Sequence, residues 1–154
     1  MNLDFFSKSI IGSKISKINR TVNLIMFTLV SQSSNEVIHI HVQCDLRLFV
    51  GNRLILTANC LYFPGKEYKK KLFRKFHWDK PGATLFESIL LEWKDKLSEV
   101  SVLDVIFNNS DLTIKFEDEI TLEILANVTE YDDIDYSENF RIFCDDKNKD
   151  HIIY

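Results

Sequence analysis

The stretch Val37-Ile38-His39-Ile40-His41-Val42-Gln43-Cys44-Asp45-Leu46-Arg47-Leu48-Phe49 decides how this chain folds. From Val37 to Val42, residues Val37, His39 and His41 alternate with Ile38, Ile40 and Val42, the period of two expected of a half-buried strand. Beyond Asp45 a single arginine, Arg47, stands between apolar neighbours. Gly51-Asn52 then supplies a two-residue hairpin that tolerates positive φ angles before the strand Arg53–Thr57. A similar order recurs near the C-terminus. Ile120-Thr121-Leu122-Glu123-Ile124-Leu125 parallels Val37–Val42, Asn139-Phe140-Arg141-Ile142-Phe143 parallels Asp45–Phe49, and Ile152-Ile153-Tyr154 parallels Leu54-Ile55-Leu56.

These parallels predict an α+β fold: two strand-rich pseudo-repeats, approximately 20–57 and 100–154, mostly antiparallel sheet, within one domain spanning 1–154. Further strands are expected at Leu24–Val30, Val100–Phe107 and Leu112–Phe116. One central helix joins the repeats. Thr84-Leu85-Phe86-Glu87 is a capping box, and Phe86, Ile89, Leu90, Trp93 and Leu97 follow at helical spacing. A short N-terminal helix, capped by Asn2 or Asp4, carries Leu3, Phe6 and Ile10 and ends at Gly12. The segment Ala58–Lys80 is read as a basic loop.

A chain of 154 residues fits one domain with a full core, and a hydrophobic share of 45% excludes disorder. The N-terminus shows no signal-peptide pattern, and the apolar run Leu24–Val30 is too short to span a bilayer. Cys44, Cys60 and Cys144 form no CxxC pair, so free thiols and a cytoplasmic location are expected. The net charge of -4 conceals an asymmetry. Between Lys66 and Lys80 seven bases face two acids, whereas from Ser101 to Tyr154 fourteen acids face four bases. Such polarity bears on partners rather than on fold.

Candidate chemistry is sparse. His39 and His41 share one strand face, but only His77 and His151 remain as further imidazoles, so the pair is read as a polar surface and not a metal site. Asp45, Glu67 and Lys69 imitate a metal-dependent nuclease pattern, yet Glu67-Tyr68-Lys69 falls in a loop after Pro64-Gly65, away from paired strands. No Ser-His-Asp, Cys-His or phosphate-cradling glycine pattern is legible. Arg47 and Arg141, in matching places, are read as arginines bonding carbonyls or a carboxylate at the seam between repeats, with partner contact as the alternative.

Two segments stand apart. Tyr68, Phe73, Phe76 and Trp78 interleave with Lys69, Lys70, Lys71, Arg74 and Lys75, as in proteins that hold single-stranded nucleic acid. The competing reading is a solvated loop anchored by its rings. Glu130, Asp132, Asp133, Asp135 and Glu138 make an acidic loop without the periodicity of a Ca²⁺ loop. As a docking face it would steer a basic protein, with Tyr131 and Tyr136 as anchors; the alternative is plain solvation.

Phe76-His77-Trp78-Asp79-Lys80-Pro81-Gly82, Asp111-Leu112-Thr113-Ile114-Lys115-Phe116 and Glu138-Asn139-Phe140-Arg141 resemble a family of small bacterial proteins. Its pattern is a WD-G element before a helix, a gDLxIxF strand and an acid before a Trp-Arg pair. Here Phe140 replaces the Trp, and Asn108-Asn109-Ser110 lacks the glycine before Asp111. The family is similar to the immunity proteins of toxin systems. The resemblance implies a protein that neutralises a toxin by binding it. With small size, acid-rich strand ends and no legible catalytic set, the expectation is a non-enzymatic cytoplasmic immunity protein that occludes a cognate, basic toxin and needs no cofactor, metal or membrane. Nucleic-acid binding through 66–80 is the alternative.

Overall fold

Alternation along each strand sorts the chain into two antiparallel sheets around a shared interior. The computed structural model describes residues 3–68, 75–127, 138–145 and 152–153. Helix α1 (Leu3–Ile10) leads into β1 (Ser13–Thr21), β2 (Leu24–Ser31), β3 (Val37–Val42), β4 (Asp45–Val50) and β5 (Arg53–Thr57). A 3₁₀ turn (Ala58–Tyr62) follows. Helix α2 (Leu85–Glu99) then leads into β6 (Val102–Asn108), β7 (Asp111–Phe116), β8 (Ile120–Leu125), β9 (Phe140–Cys144) and β10 (Ile152–Ile153). The α+β class is as the sequence predicts.

The strand orders are β1-β2-β3-β9-β10 and β5-β4-β8-β7-β6. Each sheet therefore takes three consecutive strands from one half of the chain and the last two from the other. Both halves have the same form, a helix and five strands with the fourth and fifth delivered to the opposite sheet. The central helix is thus the opening element of the second half, in the place α1 holds in the first.

Two seams interlock the halves. Along one, Ile38 to Val42 pair with Cys144 to Phe140; along the other, Asp45 to Val50 pair with Leu125 to Ile120. Only Gln43 and Cys44 join β3 to β4, whereas 126–139 intervenes between β8 and β9. The result is one long antiparallel ladder, creased between the sheets, with an insertion on one strand at the crease. Asn139 anchors it: its carbonyl accepts from the Gln43 N–H at 2.8 Å and its side chain accepts from the Asn127 N–H at 3.0 Å. Arg47 lies opposite Glu123 and Arg141 opposite His41, so both arginines stand on seam strands.

That register corrects the sequence parallel by one residue. Equating Val37 with Ile120 sets an outward side chain against an inward one, since Ile38, Ile40 and Val42 are buried in β3 and Ile120, Leu122 and Ile124 in β8. The structural counterparts are Ile38–Val42 and Ile120–Ile124. A one-residue slip exchanges the two faces of a strand.

Inward residues of both sheets join one core, completed by Phe6 and Ile10 of α1 and by Phe86 and Leu97 of α2. Helix α2 packs on β1 and β5, an edge strand of each sheet, and closes the gap between them. The Thr84 capping box forms as expected, with Thr84 Oγ1 accepting from the Glu87 N–H and Glu87 accepting from the Thr84 N–H. Asn2 lies outside the described residues, and Asp4 falls within α1. Gly12 ends that helix at φ +80°.

Glu87 does more than cap. Its carboxylate also accepts from the Gly82 N–H at 2.7 Å and from Arg20 Nη2 at 3.1 Å. Arg20, on β1, donates further to the carbonyls of Val22 and Lys80 at 2.9 and 2.8 Å. Its side chain is only 3% exposed. Its Nε lies 3.1 Å from Glu87 Oε1 but makes no hydrogen bond, so that contact is purely ionic. Burial alone would raise the Glu87 carboxyl. The Arg20 bond, the Gly82 and Thr84 N–H groups and the Arg20 charge outweigh it and hold the carboxyl below its ordinary value. The Trp78–Gly82 element is thereby latched to both β1 and α2.

Among the described residues the three cysteines are free thiols. Burial, against an opposing backbone hydrogen bond and with help from Asp45 and Asp111, pushes the Cys44 thiol up to about 12. The thiolate is the reactive form, so native Cys44 is expected to resist alkylation at pH 8 while half-buried Cys60 reacts first. Mass spectrometry of iodoacetamide-pulsed protein checks this order. No helix among the described residues is long and apolar enough to cross a membrane.

Candidate partner-binding face

Because Ile38, Ile40 and Val42 point inward, His39 and His41 point outward, and the seam places Phe143 and Arg141 beside them. Beyond β3, Thr28 lies opposite His39 and Met26 opposite His41 on β2. The outer face of the first sheet thus carries two cross-strand rows, Thr28–His39–Phe143 and Met26–His41–Arg141. All six side chains are half-buried.

Phe143 sits between the two imidazoles. His39 stacks on it with ring centres 5.0 Å apart, and His41 meets it edge-on at 4.8 Å. His39 Nε2 lies 2.8 Å from Asp145 Oδ1, and Nδ1 lies 3.3 Å from Thr28 Oγ1. Arg141 Nη2 donates to Glu138 Oε2 at 2.6 Å, while Arg141 Nε is buried without a hydrogen-bond partner among the described residues.

A carboxylate, an imidazole and a hydroxyl in line invite comparison with nucleophilic triads. Thr28, however, sits in an interior strand whose backbone groups are committed to β1 and β3. The sheet face there offers no pair of N–H groups to receive an oxyanion. The arrangement instead fixes the ring orientation of His39. Among the described residues no three His, Cys, Asp or Glu side chains gather as a metal site.

His41 responds to acid. Burial, then the neighbouring His39 and Arg141 charges, lower it from 6.5, with Glu138 opposing. The folded protein therefore favours neutral His41, and the unfolded chain takes up the proton more readily. Stability from this group is present above pH 6.5 and is lost as pH falls below it. The melting temperature is expected to drop between pH 7 and 5.5, and His41→Gln to flatten that decline; thermal unfolding at constant ionic strength measures it.

Of the residues expected to dock a partner, Glu138 is described, half-buried against Arg141. Glu130, Tyr131, Asp132, Asp133, Asp135 and Tyr136 lie outside the described residues. Among the described residues, Asp145 is the acid bonded to His39. In the basic segment Lys69–Arg74 lies outside the described residues, and Lys66 is paired with Glu92 at 2.6 Å. Tyr62, 50% exposed, leans on Trp78 with ring centres 5.2 Å apart, beside Phe63, 57% exposed. Neither Tyr62 nor Phe63 stands out in sequence, although both immediately precede Pro64-Gly65 at the entrance to the basic run.

The nuclease-like trio does not assemble in what is described. Asp45 opens β4 on the surface, Glu67 accepts from Ser88 Oγ on α2 at 2.9 Å, and Lys69 lies outside the described residues. Two rows of polar and aromatic side chains, with Glu138 bonded to Arg141 beside them, are the site that remains. No protein-family model, curated protein or solved structure matches the chain.

Proposed function

We propose that this protein acts by binding another protein, and that it is an immunity protein occluding a cognate toxin. One observation carries the reading: Glu138, the last acid of the run that begins at Glu130, is bonded to Arg141 beside the His39–His41–Phe143 face. An aromatic and arginine centre edged by acids has the composition of an interface, with anchors at its middle and steering charge at its rim. The acid-rich second half favours a basic partner, such as a nuclease. Co-expression with the product of the adjacent upstream gene tests this. Co-purification and rescue of growth support it; a gene product that is neither toxic nor retained overturns it.

A second reading is favoured by exposed Tyr62 and Phe63 beside Trp78. Rings next to the basic run suit single-stranded nucleic acid. It predicts a steeply salt-dependent gel shift that Tyr62→Ala with Phe63→Ala abolishes.

A further inference from the structure

Beyond partner binding, a second site lies along β1, an edge strand of the first sheet. A groove of about 350 Å³ runs between α2 and β1. Its walls are Ile15, Ile18, Leu90, Leu91 and Leu97, and its rim carries Lys17 and Lys94. Leu91 is 67% exposed, an unusual position for a leucine at the mouth of a cleft. Ile15, Ile18, Leu90 and Leu97 also line a small, wholly apolar void between the two sheets, bounded on its far side by Phe27, Leu46 and Leu122. The groove is therefore backed by a void of about 10 Å³, no larger than one water.

In the first half the corresponding helix-on-strand contact, α1 on β6, carries an aromatic pair. There Phe6 of α1 meets Phe107 of β6 edge-on at 5.8 Å. The α2–β1 crevice stays open.

Its charges are one-sided. Glu87 lines one end, but Arg20 and the Gly82 and Thr84 N–H groups already satisfy its carboxylate. Neither Lys17 nor Lys94 has a carboxylate partner among the described residues; Lys17 Nζ lies 3.2 Å from the Asn19 side-chain amide. We infer that this groove binds a small anionic amphiphile, an alkyl chain with a carboxylate head, with Lys17 and Lys94 at the head and the apolar wall along the chain. The volume lies at the small end of the ~300–1,000 Å³ typical of ligand sites. A free amphiphile is the occupant, since a groove of this size holds one chain.

Titration calorimetry of the full protein with decanoate, decanol and decyltrimethylammonium, below their micellar concentrations, tests this. Decanoate is expected to bind at one site and more tightly than the other two. Lengthening the chain from octanoate is expected to tighten binding by up to about four-fold per methylene. Lys17→Gln with Lys94→Gln is expected to remove the preference for decanoate over decanol, about ten-fold or more. Leu91→Glu, at an exposed position that leaves the fold intact, is expected to abolish uptake, and amide shifts on β1 and α2 to follow saturation. No saturable binding, equal binding of the cationic amphiphile, or shifts confined elsewhere would overturn the proposal. So would association with anionic vesicles without uptake of monomeric decanoate, or a dimer formed through this groove in its place.

Discussion

Residues 1–82 expressed alone are expected to remain unfolded, with a far-UV spectrum lacking native sheet and no cooperative melt. The first half supplies three strands of one sheet and two of the other, so neither sheet is whole without the second half. In isolation β3 would lose β9 along one edge, and β4 would lose β8. Ile38, Ile40, Val42, Leu46 and Leu48 would surrender their inward packing. At roughly 1.5–3 kcal/mol for each buried aliphatic side chain, the loss is about 7–15 kcal/mol as an upper bound. A domain's whole stability is only about 5–15 kcal/mol. Adding residues 83–154 as a separate chain is expected to restore the sheet signal. A half that melts cooperatively by itself would contradict the interlock.

The second large effect is expected at Arg20. Arg20→Ala removes two bonds to carbonyls and, among the described residues, the only cation on Glu87, leaving a half-buried carboxylate with only its Gly82 and Thr84 donors. Breaking a fully buried pair costs about 3–5 kcal/mol; Glu87 is partly exposed and keeps its N–H donors, so a loss of about 1.5–3 kcal/mol, the scale of hydrogen bonds to a charged group, is expected. Urea unfolding is expected to show a lowered midpoint at pH 7. The pH dependence adds a signature. Because the Glu87 carboxyl is depressed in the fold, its contribution is present above the ordinary value of 4.5 and fades as pH falls through the lower folded value. Arg20→Ala is therefore expected to lose some of the acid sensitivity along with stability. A double substitution, Arg20→Met with Glu87→Gln, is expected to recover part of the loss, since a neutral amide oxygen still accepts from the Thr84 and Gly82 N–H groups without leaving an unpaired charge.

What the sequence reveals depends on whether the physics is local. Branched residues at alternate positions make β3, β8 and β9 legible, and the Thr84–Glu87 box marks α2 to within one or two residues. Strand β1 escapes such a reading. Its Lys14, Ser16, Lys17 and Asn19 resemble a loop, and a bulge between Ile15 and Lys17 breaks the period of two. The exchange of β4–β5 and β9–β10 between sheets leaves no local trace, because pairing partners are chosen by a register set across the whole chain. The seam position of Arg47 and Arg141 is legible; the alignment of β3 with β8 is off by one.

The candidate face is half legible for the same reason. His39 and His41 on one side of a strand follow from alternation alone. Their meeting with Phe143, Asp145 and Thr28 requires three strands in register, which no spacing in the sequence records. Glu138 reads in sequence as one acid of an acidic loop, whereas the structure shows it bonded to Arg141 at the base of β9.

The most direct test of the account is the affinity of Phe143→Ala and Arg141→Ala for the proposed partner, the product of the adjacent upstream gene. The account predicts that each weakens binding about 30-fold or more, the scale of an interface hot spot, with melting temperatures close to the parent's. Parent-like affinity in both variants, with loss confined to Tyr62→Ala or Phe63→Ala, would contradict it and move the interface to the aromatic, basic end of the molecule.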